Sequence, residues 1–463
     1  MPSPATLVLG ALAAAVLAAP PAALAQAHPG AVAIDLAPGW RLTGNAQAFP
    51  VVTVGAPSAG EPLQRTGWYL TQPALMTHVE GPGERIVLHT TLNFEGLTQP
   101  DGELTYGGWG EGFIDVRHPH TLLHELLLSY DAWDLGGGAL SLTAGKGFAP
   151  FGTSDPMARP GLKYPTNHHL SQILERWLVS AAWIRGGLSV EGGVFSGAEP
   201  EGPYDLSNIR GFGDSWSARV ALRWGAGTGP LAEWEASVSV ARVSEEEHVP
   251  LPGDPSDPSD PEETFAVVEG KRLYLNAALR RSAPLGPGHF YGLLEASRSR
   301  LGSAQDFFSV LAEGHFQLAG HEPYARLEYA RRPEYPRLGT AREEEFFRYE
   351  HHLRPTGTTR WLVATLGYGY TLTPTPWSVR PFLEVQYHAV RRDQGRVTPE
   401  ALYGRRSAWA LTFGARIYLG GDPMPMGQYG VLDPMTAMSR QMDAMAGDEP
   451  ADPAVHPPDH TGH

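Results

Sequence analysis

From about residue 40 to residue 420 the chain alternates apolar and polar residues in runs of about ten. The stretch from Trp409 to Leu419 is the clearest case. Trp409, Leu411, Phe413, Ala415, Ile417 and Leu419 fall on one face; Ala410, Thr412, Gly414, Arg416 and Tyr418 fall on the other. A helix would scatter these apolar residues all round, whereas a strand gives one lipid-ready face and one small or polar face. The same split recurs. Leu273, Leu275 and Leu279 oppose Tyr274, Asn276 and Arg280; Trp216, Val220 and Trp224 oppose Ser217, Arg219 and Arg223. Trp234, Val238 and Val240 oppose Glu235, Ser237 and Ser239; Leu383, Val385 and Tyr387 oppose Phe382, Glu384, Gln386 and His388. Aromatic residues often close the apolar face, as interfacial girdles require.

Connection lengths separate a membrane barrel from a soluble sandwich. Short turns near Gly81, Gly137, Gly186, Gly227, Pro284, Gly320 and Pro374 alternate with long loops over 96–120, 149–171, 198–214, 244–270, 334–359 and 391–404, and a shorter one at 301–305. Short periplasmic turns and long outer loops produce this rhythm in an up-and-down barrel. About 15 strands follow Arg65, and a strand over Trp40–Val52 brings the count to about 16, an even number. Without the first two strands it falls to about 14. The expected fold class is therefore all-β, an antiparallel up-and-down transmembrane β-barrel over 40–420.

What lies outside that barrel is read differently. Residues Leu7 to Ala25 are almost wholly apolar and end at the small-x-small site Ala23-Leu24-Ala25, so 1–25 reads as a secretory signal. Met1 to Thr6 carries no Lys or Arg, so either the start lies elsewhere or the signal is atypical. Residues 26–39 are then a periplasmic N-terminal segment and 421–463 a Met/His-rich periplasmic tail. No other run approaches the ~18 apolar residues of a helical span, so entry into a membrane must be by strands.

Composition sharpens this picture. Glycine (54) and proline (42) are abundant and cysteine is absent, as in an exported protein that forms no disulfides. The net charge of −15 argues against nucleic-acid binding. The loop 244–264 holds eight acidic residues, Glu245 and Asp254 among them, and no Lys or Arg; it reads as solvated, with loose cation gathering as the sharper alternative.

Candidate chemistry concentrates in the tail. Met424 and Met426 precede Met435, Met438, Met442 and Met445, whose steps of three, four and three make one stripe on a helix opened by Asp433-Pro434 and closed by Gly447. His456, His460 and His463 follow. Thioethers suit Cu(I) and imidazoles suit Cu(II), Zn or Ni, so copper or another soft or borderline metal is the candidate ion, with no cofactor required. The bland reading is that the methionines pack on a barrel rim or a periplasmic partner. A second group is His118, His120 and His124, and a third is His168 and His169 in a long loop; two such loops converging on a barrel mouth would make a metal site, while each His alone is more simply a hydrogen-bonding rim residue. His89, His315 and His388 fall on polar faces and line the lumen. Arg326, Glu328 and Glu384 read as a charged lumen wall. No Gly-x-Ser-x-Gly, His-Glu-x-x-His or phosphate-binding glycine motif occurs, so no enzyme is expected.

Several blocks carry a resemblance. Arg117-His118-Pro119-His120 leads into Leu123-His124-Glu125-Leu126, followed by Asn167-His168-His169, Val190-Glu191-Gly192-Gly193, Phe195-Ser196-Gly197, Glu199-Pro200 and Asp214-Ser215-Trp216. In this order over 84–225 they resemble a largely uncharacterised family of exported bacterial outer-membrane, porin-like β-barrels. The resemblance implies a barrel and an association with copper and heavy-metal resistance, and it supplies no catalytic residues. A porin-like barrel has outer-membrane lipid and the barrel assembly machinery as expected partners, with small solutes or metal ions as cargo. The 44 residues after Leu419 depart from the pattern, since such barrels commonly end on an aromatic residue. Three functional readings follow: a porin-like passage, a non-conducting docking barrel with a metal- or partner-binding tail, and, least favoured, an outer-membrane hydrolase.

Overall fold

A computed structural model describes residues 32–57, 64–98, 103–104, 114–115, 120–154, 159, 161, 168–200, 202–227, 229–250, 265–301, 305–334, 357–372, 377–395, 398–420 and 426–447. The signal segment 1–25, most of the acidic loop, His118, Met424 and the three terminal histidines lie outside the described residues. So do the side chains of His168, His169, Met442 and Met445.

The wall begins with β1 (Val32–Ala37), β2 (Trp40–Pro57), β3 (Gln64–Glu80) and β4 (Ile86–Asn93). A small pair, β5 (Glu103–Leu104) and β6 (Ile114–Asp115), stands apart from it. The wall resumes with β7 (Leu123–Leu135), β8 (Gly138–Gly147), β9 (Arg176–Arg185), β10 (Leu188–Phe195), β11 (Ser215–Trp224) and β12 (Trp234–Pro250). It continues through β13 (Phe265–Leu285), β14 (Gly288–Leu301), β15 (Gln305–Gln317), β16 (His321–Glu334), β17 (Gly357–Tyr370), β18 (Trp377–Gly395) and β19 (Ser407–Leu419).

Each wall strand pairs antiparallel with the next, and β19 returns to β2, with Leu411 opposite Val54 and Leu419 opposite Ala46. Sixteen strands thus close into a ring, the even number expected, and closure leaves no edge whose backbone polar groups would face hydrocarbon. The residues before Trp40 add a strand outside the count. β1 pairs with the start of β2, Val32 opposite Gly44, on the stretch of that edge that β19 leaves open.

The two faces fall as the alternation requires. Trp409, Leu411 and Phe413 are exposed outward, while Ala410, Thr412 and Arg416 are buried inward. Trp68, Trp216 and Trp409 stand near the long-loop end, and Trp224, Tyr368 and Tyr370 near the short-turn end, forming two aromatic girdles around an aliphatic band. A span of this kind needs about 9–11 residues, so β12 and β13, with 17 and 21 residues, extend past it as a hairpin paired out to Pro250 and Phe265.

Four short α-helices, α1 (Glu95–Thr98), α2 (His168–Ser171), α3 (Pro399–Tyr403) and α4 (Pro434–Gly447), and three 3-10 turns at Pro82–Glu84, Gly229–Leu231 and Gly430–Leu432 complete the described chain. Two segments fold inward. Residues 148–175, between β8 and β9, bury Phe148, Phe151, Arg159 and Ile173. At Gly152 the chain takes a φ of 71°, and a Cβ there would meet the Ser171 carbonyl at 1.6 Å, so only glycine permits this return. The tail from Met426 comes back to the short-turn end, where Val431 and Leu432 are buried against Ala139, Trp133, Ala182 and Ile184 of the inner wall.

Candidate functional site: the filled interior and two histidine–carboxylate clusters

The inward faces of β10, β11 and β12 carry charge in compensating positions. Arg219 donates to Glu191 at 2.5 Å and to Glu235 at 2.7 Å, and Arg223 donates to Glu235 at 2.6 Å. All four are less than a tenth exposed. Buried arginines keep their charge only where carboxylates face them, and a two-residue period sets these on adjacent strands at matching heights.

Of the inward segment, the described Thr153 and Arg159 reach strands β14 and β15. Thr153 donates to Glu295 on β14 at 2.7 Å, and Arg159 approaches Glu295 and Glu313 at 3.7 and 3.9 Å. Arg326 donates to Glu313 at 2.8 Å, and Arg416 on β19 donates to the Arg159 carbonyl at 3.0 Å. Glu328 and Glu384, read from the sequence as lumen wall with Arg326, are buried on that wall. Thr153 and Arg159 therefore stand inside the ring among the charged side chains of β14, β15 and β19.

His120 and His124, expected together, do meet. His124 Nδ1 lies 2.9 Å and His120 Nδ1 3.8 Å from the carboxylate of Glu175, with all three buried. Glu175 was not legible as a partner, because it stands 51 residues from His124 in sequence. Its carboxylate also accepts from the Thr121 amide at 2.8 Å and hydroxyl at 2.6 Å. Burial pushes the carboxyl up, but hydrogen bonds and charge from His120 and His124 outweigh it and hold it well below the ordinary carboxylate range. Glu175 takes a left-handed φ of 54°, a strain that its bonds offset. Beside it the Lys146 ammonium donates to Thr121 Oγ1 and to the Leu123 carbonyl, placing a positive charge inside the cluster.

The second cluster was not expected. His78 on β3 and His89 on β4 are direct cross-strand partners, and Asp433 from the tail joins them, with donor atoms within 4.8 Å of one another. His78 Nδ1 lies 3.3 Å from Asp433 Oδ2. The signal missed was register: inward histidines at the ends of β3 and β4 that a short turn places opposite. Of the tail methionines with described side chains, Met426 packs on Met76, and Met435 and Met438 are half-buried. Tyr429 donates to Glu125 at 2.8 Å and accepts from the Phe148 amide at 2.7 Å. At Gly430, with φ 58°, a Cβ would sit 2.4 Å from Ser141, so glycine lets the tail lie against the wall. Below, a cavity of about 920 Å³ opens between Trp40, Arg41, Glu84 and Arg440.

His315 and His388 are inward as expected, and His388 is fully buried. No family model matches the chain, and no curated protein matches it. Among solved structures it is similar to a loop-deletion form of OmpT, an outer membrane protein of Vibrio cholerae, at 11% identity and a TM-score of 0.45, over 82% of this chain and 99% of that one. It is similar to an anion-selective porin from Comamonas acidovorans at 14% identity and 0.44, over 82% and 99%. It is also similar to the outer membrane channel DcaP of Acinetobacter baumannii at 10% and 0.47, over 83% and 99%.

Proposed function

We propose that this protein is a porin-like outer-membrane barrel that passes small hydrophilic solutes or ions passively, through a lumen into which residues 148–154, Arg159 and the C-terminal residues from Met426 project. One observation carries the reading: a closed ring of strands with an apolar exterior encloses a wall of paired charges. Paired charges along such a wall hold water and field in a passage. No chemical step is assigned to the protein.

A second reading has its own support. The inward charges are almost fully covered, as in a plugged barrel that docks a partner or holds metal ions through its tail. Planar-bilayer conductance separates the two. The full chain is expected to give small steps, and the protein lacking 421–463 larger ones. Silence from both, with the β-sheet spectrum intact, overturns the channel and favours the docking barrel.

A further inference from the structure

The geometry points to a divalent metal site of the zinc class, formed by His78, His89 and Asp433, that latches the C-terminal segment to the inner wall. Two imidazoles and one carboxylate are a usual ligand set for such an ion, leaving a position for water.

The side-chain partners argue for ligation over simple hydrogen bonding. His78 Nε2 lies 3.2 Å from Glu80, and His89 Nε2 lies 3.1 Å from Glu125. Each histidine thus engages a carboxylate through one nitrogen, and the Nδ1 atoms of both are buried without a hydrogen bond. A metal-ligating histidine has this arrangement, its far nitrogen oriented by a carboxylate. Those carboxylates are themselves held. Glu125 accepts from Thr91 at 2.6 Å and from Tyr429, and Glu80 accepts from Ser439 at 3.2 Å.

Asp433 divides its oxygens between two tasks. Oδ1 accepts from the Met435 amide at 2.9 Å and caps α4, while Oδ2 faces His78. Charge favours a cation here as well. The carboxylates of Glu80, Glu125 and Asp433 stand 3.2, 3.1 and 3.3 Å from the two imidazoles. His78 Nδ1 and Asp433 Oδ2, 3.3 Å apart, already match the ~3.3 Å between ligands of a tetrahedral ion at ~2.0 Å, and the three residues offer donors within 4.8 Å of one another. The site joins β3 and β4 to a residue more than 340 positions later, so an ion there ties the tail to the wall.

The test titrates Zn(II) alone into the full-chain protein refolded in detergent, against a chromophoric chelator, for wild type, Asp433→Asn and His89→Gln. Asparagine keeps the helix cap and lies outside the barrel strands, so its barrel assembles as in wild type. His456, His460 and His463 contribute the same background to all three proteins. Wild type is expected to hold one more tight equivalent, weakened at least tenfold in each variant. The second readout is tryptic cleavage after Arg440, the one Lys or Arg beyond Arg416. Zinc should slow that cut at least tenfold in wild type and leave both variants unchanged. Equal zinc binding in all three proteins, or wild-type cleavage indifferent to zinc, overturns the site. Neither readout depends on conduction, so this failure is distinct from failure of the channel reading.

Discussion

The two histidine–carboxylate clusters are built from similar parts and differ in what stands beside them. Around Glu175 the protein supplies its own cation, Lys146, and nearby donors from Thr121 occupy the carboxylate. Around Asp433 carboxylates accumulate, and the basic groups near them, Arg41 and Arg440, stand toward the open end with Arg440 paired to Glu84 at 3.2 Å. The first cluster is a clamp that fixes where the inward segment rejoins β9; the second is a seam between wall and tail. Similar side chains thus acquire different roles from the local charge balance.

The largest effect is expected at the clamp. Glu175→Ala removes the acceptor for Thr121 and leaves Lys146 buried near one fewer negative charge, at a cost of about 3 kcal/mol, read by denaturant unfolding in detergent. The pH dependence follows from the depressed carboxyl. Its stabilisation is complete above the unfolded value of about 4.3 and is lost as pH falls through the lower folded value. The gap between wild type and Glu175→Gln should therefore persist at pH 7 and close only in acid; a gap that widens in acid would contradict the clamp.

Next in size is Lys146→Gln, which keeps a donor for Thr121 and the Leu123 carbonyl but removes the charge. If the ammonium is what distinguishes the clusters, zinc should bind at His120, His124 and Glu175 about tenfold more tightly, roughly 1.4 kcal/mol. Unchanged affinity would mean that hydrogen bonding to Glu175, rather than charge, keeps a cation away.

Smaller still, Tyr429→Phe deletes the bonds to Glu125 and from Phe148, worth about 1 kcal/mol. Cleavage after Arg440 should quicken several-fold without zinc, while barrel unfolding stays near wild type. The smallest effect belongs to Arg440→Ala. Its guanidinium lies 3.8 Å over Trp133, yet the side chain is 42% exposed, so about 0.5 kcal/mol is expected in tail detachment, read by hydrogen exchange of α4.

The wall was legible because its signal is local. Trp409, Thr412 and Arg416 declare their faces by a two-residue period, and glycines mark the turns that join neighbours, so strand number and orientation follow without tertiary information. The start of α4 was equally readable, since Asp433-Pro434 is a local capping signal. Even the meeting of His120 and His124 rests on four residues of chain. Glu175 and Asp433 carried no such mark. A carboxylate's partner is whatever closure of the ring sets beside it, and nothing near Asp433 in sequence announces β3.

Sequence by itself thus determined an antiparallel barrel of about sixteen strands, its lipid-facing and inward residues, and a helix after the last strand, because each depends on short-range periodicity and turn chemistry. Ring closure decided between sixteen and the alternative of about fourteen. What fills the lumen was decided only by the tertiary structure. Residues 148–154, 159, 168–175 and 426–439 meet the inner wall through partners brought together from distant parts of the chain, and the energy of a buried charge depends on such neighbours rather than on its own place in the sequence.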